Sequence, residues 1–218
     1  MLVRARDQRR GDTLIEVLFA ITIFSLVLVG SLSIMNQGMS TSQRALEITV
    51  VRQEIDAQAE VLRFLHTSYI AVYQSGNAVN DYKSDTPARE WATMVAKIKA
   101  DNLPKVTDFN DDSTSCPTTQ PSSSFIMNSR KAQFIPVVSA INFASASTYS
   151  KVQYNSADSL SSAQGIWIEA ISWTPSLSDT NQNNAGYVDF HIRACWDSPG
   201  QAVPIRIGTI VRLYEPLG

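Results

Sequence analysis

Proline is missing from the first 86 residues, and all nine prolines lie at or after Pro87. Nothing in that front segment breaks a helix by removing an N–H or clashing with the preceding turn. Cysteine and histidine are scarce, two of each. Zinc clusters and iron–sulfur sites need about four such ligands, which nearly excludes both. Charged residues make up only 17% of the chain, with a net charge of -2 from 18 basic and 20 acidic side chains. That balance gives no polybasic clamp for a membrane surface or a nucleic acid. The basic residues Lys97, Lys99, Lys105, Arg130 and Lys131 are scattered, too few for a phosphate-backbone footprint. There is no glycine-rich phosphate loop and no metal-ligand spacing. His66 and His191 form no readable set with a nucleophile and are taken as structural or surface residues. No enzyme chemistry and no cofactor are expected.

What is present is concentrated at the front. The chain opens MLVRARDQRRG, where Arg4, Arg6, Arg9 and Arg10 outweigh Asp7. From Val17 to Gln43 no side chain is charged, and Val17 to Met35 is long enough to cross a bilayer as a helix. A basic head before such a run keeps the N-terminus in the cytoplasm. No small-residue cleavage site of the secretory kind follows it, so a plain reading is a signal anchor. Glu16 at the lip of the run, and Thr22, Ser25, Ser31, Ser33 and Gly30 within it, are unusual in a plain anchor. A carboxylate beside hydrocarbon calls for water or a partner.

The stretch Arg9-Arg10-Gly11-Asp12-Thr13-Leu14-Ile15-Glu16-Val17-Leu18 resembles the N-terminal motif of type IV pilins and pseudopilins. The shared pattern is a short basic leader, a Gly, four residues, a Glu and then a long apolar helix. It covers about the first 40 residues. The resemblance implies cleavage after Gly11 by a prepilin peptidase and methylation of the new N-terminus at Asp12. It gives Glu16 the role of neutralising the ammonium of a neighbouring subunit during filament assembly. A charge pair in a low dielectric attracts strongly, although desolvation offsets much of the gain. Partners implied are the peptidase, other pilin subunits, the assembly machinery and the membrane. Two departures stand out: Asp12 replaces the Phe common at that position, and the membrane helix lacks the Pro of many major pilins. Both lean towards a minor subunit. The alternative is a permanently anchored surface protein whose β-rich domain binds a ligand.

Beyond the membrane, Met39 to Ser75 has neither Gly nor Pro. Ile48, Val51, Ile55, Leu62, Leu65 and Tyr69 recur on one helical face, with Arg44, Glu47, Arg52, Glu54, Asp56, Glu60 and Arg63 on the others. Unbroken from Asp12 to Gln74, such a helix would be roughly 95 Å long. Gly76 is its stop. A second helix is predicted over Pro87–Ile98, capped by Asp85 or Thr86 with Pro87 at its first position. Residues 104–124 read as a long exposed loop. Its Asp108, Asp111 and Asp112 lack the spacing of an EF-hand.

Strands are predicted at Ala132–Val138, Gly165–Trp173, Tyr187–Trp196 and Ile205–Tyr214, with the period-two alternation of an antiparallel sheet covered on one face. Ser139 to Gln164 is expected to be irregular and Ser176 to Gly186 a polar connector. Trp91, Trp167, Trp173 and Trp196 are read as core or packing residues, not as a platform for stacking sugars or bases. Cys116 and Cys195 would lie outside the cytoplasm, where disulfides persist. They are expected either to pair, closing a loop of about 80 residues worth roughly 4.5 kcal/mol, or to remain two thiols with Cys195 buried. The whole is therefore an α+β, pilin-like arrangement: a leader at 1–11, a long helix at 12–75 that is transmembrane over 14–36, and an extracytoplasmic head at 76–218.

Overall fold

The computed structural model describes residues 12–76, 85–103, 105–106, 115–136, 142–174, 185–198 and 201–216, with the side chains of residues 12 and 13 left aside. Gly11, the acidic residues Asp108, Asp111 and Asp112, the end of the strand predicted to reach Val138, and most of the polar connector after Ser176 lie outside the described residues. The chain divides into two compact units, Met1–Leu46 and Glu47–Gly218, and the division falls within the first helix.

Helix α1 runs Asp12–Gln74. Gly76 follows it with φ 73, the left-handed backbone that a helix terminus takes up at least cost with glycine. In the second unit α1 buries Val51, Ile55, Leu62 and Leu65, with Ile48 and Tyr69 packed against the same core. Helix α2 runs Pro87–Asp101, three residues longer at its end than periodicity predicts. Thr86 takes the N-cap position with extended backbone but makes no side-chain cap bond, and Pro87 opens the first turn. Ala88, Trp91, Met94, Val95 and Ile98 are its buried stripe.

Among the described residues eight strands follow: β1 Phe125–Asn128, β2 Gln133–Pro136, β3 Asn142–Ala144, β4 Lys151–Tyr154, β5 Leu160–Gln164, β6 Ile166–Trp173, β7 Tyr187–Trp196 and β8 Ile205–Tyr214. One antiparallel sheet has the order β2-β1-β6-β7-β8. Its inner face carries Ile166, Ile168, Ala170, Val188, Phe190, Ile192, Ala194 and Val211 into the core shared with α1 and α2. Each of the Ile, Val and Phe side chains among them, moved out of water, contributes about 1.5–3 kcal/mol. Trp91 of α2 meets Phe190 at 5.7 Å between ring centres.

Within the stretch from Ser139 to Gln164, which the serine content predicts to be irregular, the described residues 142–164 include three strands. Within it β3, β5 and β4 form a second, mixed sheet with β3 and β5 parallel. Leu160 and Ala163 are buried in the main core. The strands are three to five residues long, too short for a visible period, and non-local pairing holds them. Nor is the large sheet covered on one face only. Trp167 of β6 is buried on the opposite side with Cys116, Cys195 and Phe143. On that side the buried Arg193 donates from Nη1 to Glu169 Oε2 at 3.1 Å, and Trp167 Nε1 donates to the same oxygen at 3.2 Å. Cys116 and Cys195 form a disulfide, so part of the 104–124 segment lies against the sheet and is not wholly exposed. Trp91, Trp167 and Trp196 are buried; Trp173, 38% exposed, packs by stacking on Tyr187 at 5.3 Å between ring centres.

Two polar side chains of α1 turn inward. Glu47 accepts from Trp196 Nε1 at 3.2 Å and from Ser198 Oγ at 2.8 Å. Gln58 is wholly buried. Its Oε1 accepts the Met127 N–H at 2.8 Å and its Nε2 donates to Met127 O at 3.0 Å. β1 meets β6 at one residue pair, Phe125 with Ile168. Past that pair the Gln58 amide serves the backbone of Met127 as a neighbouring strand would. Gly165 joins the two sheets at φ +60. Its N–H donates to Ala144 O, and its carbonyl accepts from the Cys195 N–H and from Ser150 Oγ.

Candidate functional site

The residues singled out at the front of the chain fall at the start of α1. Gly11 precedes the described residues, and Asp12 is the first helical residue. Glu16 stands a turn later, on an exposed part of the helix. Carboxylates in a first turn suit the partial positive charge left by unpaired N–H groups at a helix start.

The helix beyond Glu16 is apolar on all sides and exposed on all sides. Leu14, Phe19, Phe24, Leu26, Val29 and Ile34 each present more than half of their surface. So wide an apolar surface is unfavourable in water at about 25 cal/mol per Å², and a monomeric soluble domain does not carry one. The helix is long and apolar enough to cross a membrane. The hydroxyls of Thr22, Ser25 and Ser31, which interrupt it, are satisfied within the helix. Thr22 Oγ1 donates to Phe19 O, Ser25 Oγ to Ile21 O and Ser31 Oγ to Val27 O, each at 2.8 Å. Thr41 does the same to Gln37 O at 2.6 Å. A hydroxyl bonded to its own helix enters hydrocarbon without an outside partner. Thr22, Ser25 and Ser31, which look anomalous in sequence, therefore leave the apolar surface continuous, and Glu16 is its ionisable exception.

His66 lies on α1, where Nε2 is 2.8 Å from Tyr214 O and the ring sits edge-on to Trp91. His191 lies on β7, paired with Glu169 and Ile210 of the adjacent strands. Burial and the neighbouring Arg193 hold its imidazole below the ordinary histidine pKa. Among the described residues, no three or more His, Cys, Asp or Glu side chains gather where they could hold a metal. An open cavity of about 280 Å³ lies between α2 and β1–β2, beside the Lys97–Asp101 ion pair. A second, of about 320 Å³, is bordered by Tyr69, Trp91 and the Lys99–Glu215 pair. Neither lining includes a His or Cys.

Sequence reasoning missed three groups that shape the head: Gln58, Glu47, and the Arg212–Asp189 fork at 2.7 and 2.6 Å. The fork had a signal in the alternation of β7 and β8. Gln58 had none, because its partner is backbone distant in sequence.

Compared with known proteins, the chain matches one family model, the prokaryotic N-terminal methylation motif, over residues 6–32. Those residues take in the second half of the basic N-terminal stretch, Gly11, Glu16 and the apolar run as far as Leu32. No curated protein and no solved structure gives a significant match.

Proposed function

We propose that this chain, which carries the prepilin-type N-terminal motif and the long apolar helix of type IV pilin-like proteins, is a minor pilin or pseudopilin. It is inserted once through the cytoplasmic membrane with its N-terminus inside, and the apolar part of α1 (residues 14–36) spans the lipid. A prepilin peptidase removes residues 1–11 by cutting after Gly11 and methylates the amine of Asp12. The subunit then leaves the membrane for a filament. There its apolar helix packs among those of other subunits, and the Glu16 carboxylate faces the Asp12 ammonium of a neighbour. The head, residues 76–218 together with the second half of α1, faces outward. The role is structural, priming, capping or decorating a filament in adhesion, motility, secretion or DNA uptake.

The observation that carries this reading is the Gly11-to-Glu16 spacing directly ahead of a helix with apolar residues exposed on every side. Such a surface needs lipid first and other helices afterwards. A buried unpaired charge costs far more than a paired one, so one carboxylate in a fixed place implies one amine. Co-expression with a prepilin peptidase should remove the leader, and Gly11→Ala should block its removal. Glu16→Ala should still reach the membrane but be absent from sheared filaments. A permanently anchored receptor would keep its leader and be indifferent to Glu16→Ala, and that result would sink the proposal.

A further inference from the structure

One end of the second unit carries a groove built from three segments. α1 and β8 run side by side from Glu47, which meets Trp196 and Ser198, to His66, which meets the Tyr214 carbonyl. The groove lies just past that second contact, at the end of the unit away from Glu47. Tyr69 and Tyr73, one turn apart on α1, line it with ring centres 6.4 Å apart. Ala92 and Ala96, one turn apart on α2, line it too, and with one methyl each they leave the space open. Trp91 is buried behind them, 6.5 Å from Tyr69 between ring centres. Lys99 Nζ and Glu215 Oε1, 2.5 Å apart, close the groove beside the tail that follows β8. Glu215 is fixed by its backbone, whose N–H donates to Gly186 O at 2.7 Å. The volume is about 320 Å³, at the small end of the roughly 300–1,000 Å³ that ligand pockets span.

We propose that this groove binds an uncharged sugar unit, the terminal residue of a glycan. The tyrosine rings and alanine methyls suit the C–H face of a pyranose. The polar groups are of both kinds. The Lys99 ammonium has three N–H donors and gives one to Glu215, whose carboxylate keeps acceptor positions that Lys99 does not fill. A phenol hydroxyl both donates and accepts. Burial first, and the Glu215 carboxylate second, raise the pKa of Tyr69, which keeps that hydroxyl a donor. Lys99 and Glu215 cancel, so the groove offers no net charge to a carboxylate, a phosphate or an ammonium. Lys99 is the one cation among the described lining residues, and Lys97 on the same helix is paired with Asp101. A nucleic acid, held mainly through its phosphates, finds no unpaired cation in this groove. An apolar side chain seated there would strip water from the ion pair and return no hydrogen bond. Sugar hydroxyls replace that water. The site lies within one chain, so copies that share a membrane carry it alike, and it does not require entry into a filament.

The test uses the full chain in a polyoxyethylene detergent, which has no sugar headgroup. The uncharged probes are lactose, N-acetyllactosamine, chitobiose, maltose and mannobiose. Sialyllactose serves as an acidic glycan and a short oligothymidylate as a nucleic acid. Saturation-transfer NMR reads which probes touch the protein, and titration gives the dissociation constant. At least one uncharged glycan should bind at about 1 mM or tighter. Tyr73→Ala removes a ring and Lys99→Met removes the ammonium donors, and each should weaken binding about tenfold or more. Ala96→Phe, at an exposed helix position, fills the groove and removes no polar group. It should abolish the transfer with near-UV circular dichroism unchanged, so the outcome does not depend on the variants that delete a contact. Arg63→Ala, on the exposed side of α1, should leave binding as it is. No transfer to any uncharged glycan at about 10 mM would overturn the proposal. So would binding that Tyr73→Ala, Lys99→Met and Ala96→Phe all leave unchanged, since the site would then lie elsewhere. Tighter binding of sialyllactose or oligothymidylate, lost in Ala96→Phe, would overturn it as well, because the groove would then select charge.

Discussion

Gln58 offers the sharpest test of the packing argument, because one side chain satisfies two buried backbone groups. The Met127 N–H and C=O lie at 2.8 and 3.0 Å from its amide, and Gln58 and Met127 are both fully buried. Gln58→Leu keeps most of the volume and removes both bonds. A buried backbone group left unsatisfied costs about 1–3 kcal/mol, so the variant should lose about 2–5 kcal/mol. For a domain of this size that lowers the Tm by roughly 6–15 °C. Gln58→Glu separates hydrogen bonding from shape. A neutral carboxylic acid can accept from Met127 N–H and donate to Met127 O, whereas a carboxylate sets an anion against that carbonyl. Burial raises the carboxyl pKa of this variant above the ordinary carboxylate value near 4.3. Its contribution is therefore present below that value and lost as pH rises through the raised one. Its deficit relative to wild type should be small near pH 4.5 and approach that of Gln58→Leu by pH 7.5. The assay is thermal unfolding of the full chain in detergent, followed by near-UV circular dichroism of the buried tryptophans. A Gln58→Leu deficit below about 1 kcal/mol, or a Gln58→Glu deficit independent of pH, would refute the reasoning.

Three further outcomes follow from the same coordinates. Gly165→Ala would place a Cβ 2.3 Å from Cys195 O at φ +60, which only backbone movement can relieve; a loss of about 3 kcal/mol or more is expected, and an unchanged melting curve would contradict it. Cys116→Ser with Cys195→Ser removes a crosslink over a sequence separation of 79, worth about 4.5 kcal/mol in the chain-entropy model; equal proteolysis rates of the variant and the native chain would count against this. Burial and Arg193 lower the pKa of His191, so the unfolded chain takes up the proton first. His191 then stabilises the fold above about pH 6.5 and less as pH falls through its lowered value. His191→Gln should show a smaller drop in Tm between pH 7.5 and 5.5 than wild type, and parallel profiles would refute the assignment.

Several features of the head could be read before any coordinates. The helical stripe from Ile48 to Tyr69 and the alternation in β6, β7 and β8 recur at the period of their own element, so local sequence contains them. The ends of β7 and β8 fall at the predicted residues. β1, β3, β4 and β5 escaped notice because three to five residues cannot display a period, and their hydrogen-bond partners lie elsewhere in the chain. Glu47 was read as a surface charge because helical spacing says which face a residue occupies, not whether an indole N–H waits there.

The division between what is local and what is not runs through the whole molecule. Sequence alone determined the basic N-terminal stretch, the Gly11–Glu16 spacing, the uninterrupted helix and its change from apolar to amphipathic, because each depends on neighbours within a few turns. Tertiary structure decided which polar groups go inside and which distant groups meet. Gln58 replaces a strand for Met127, Glu169 and Arg193 are buried together, His66 reaches the carbonyl of Tyr214, and Lys99 of α2 pairs with Glu215. These outcomes arise when distant segments compete to satisfy the same backbone groups once water has been excluded, and no stretch of sequence contains that competition by itself.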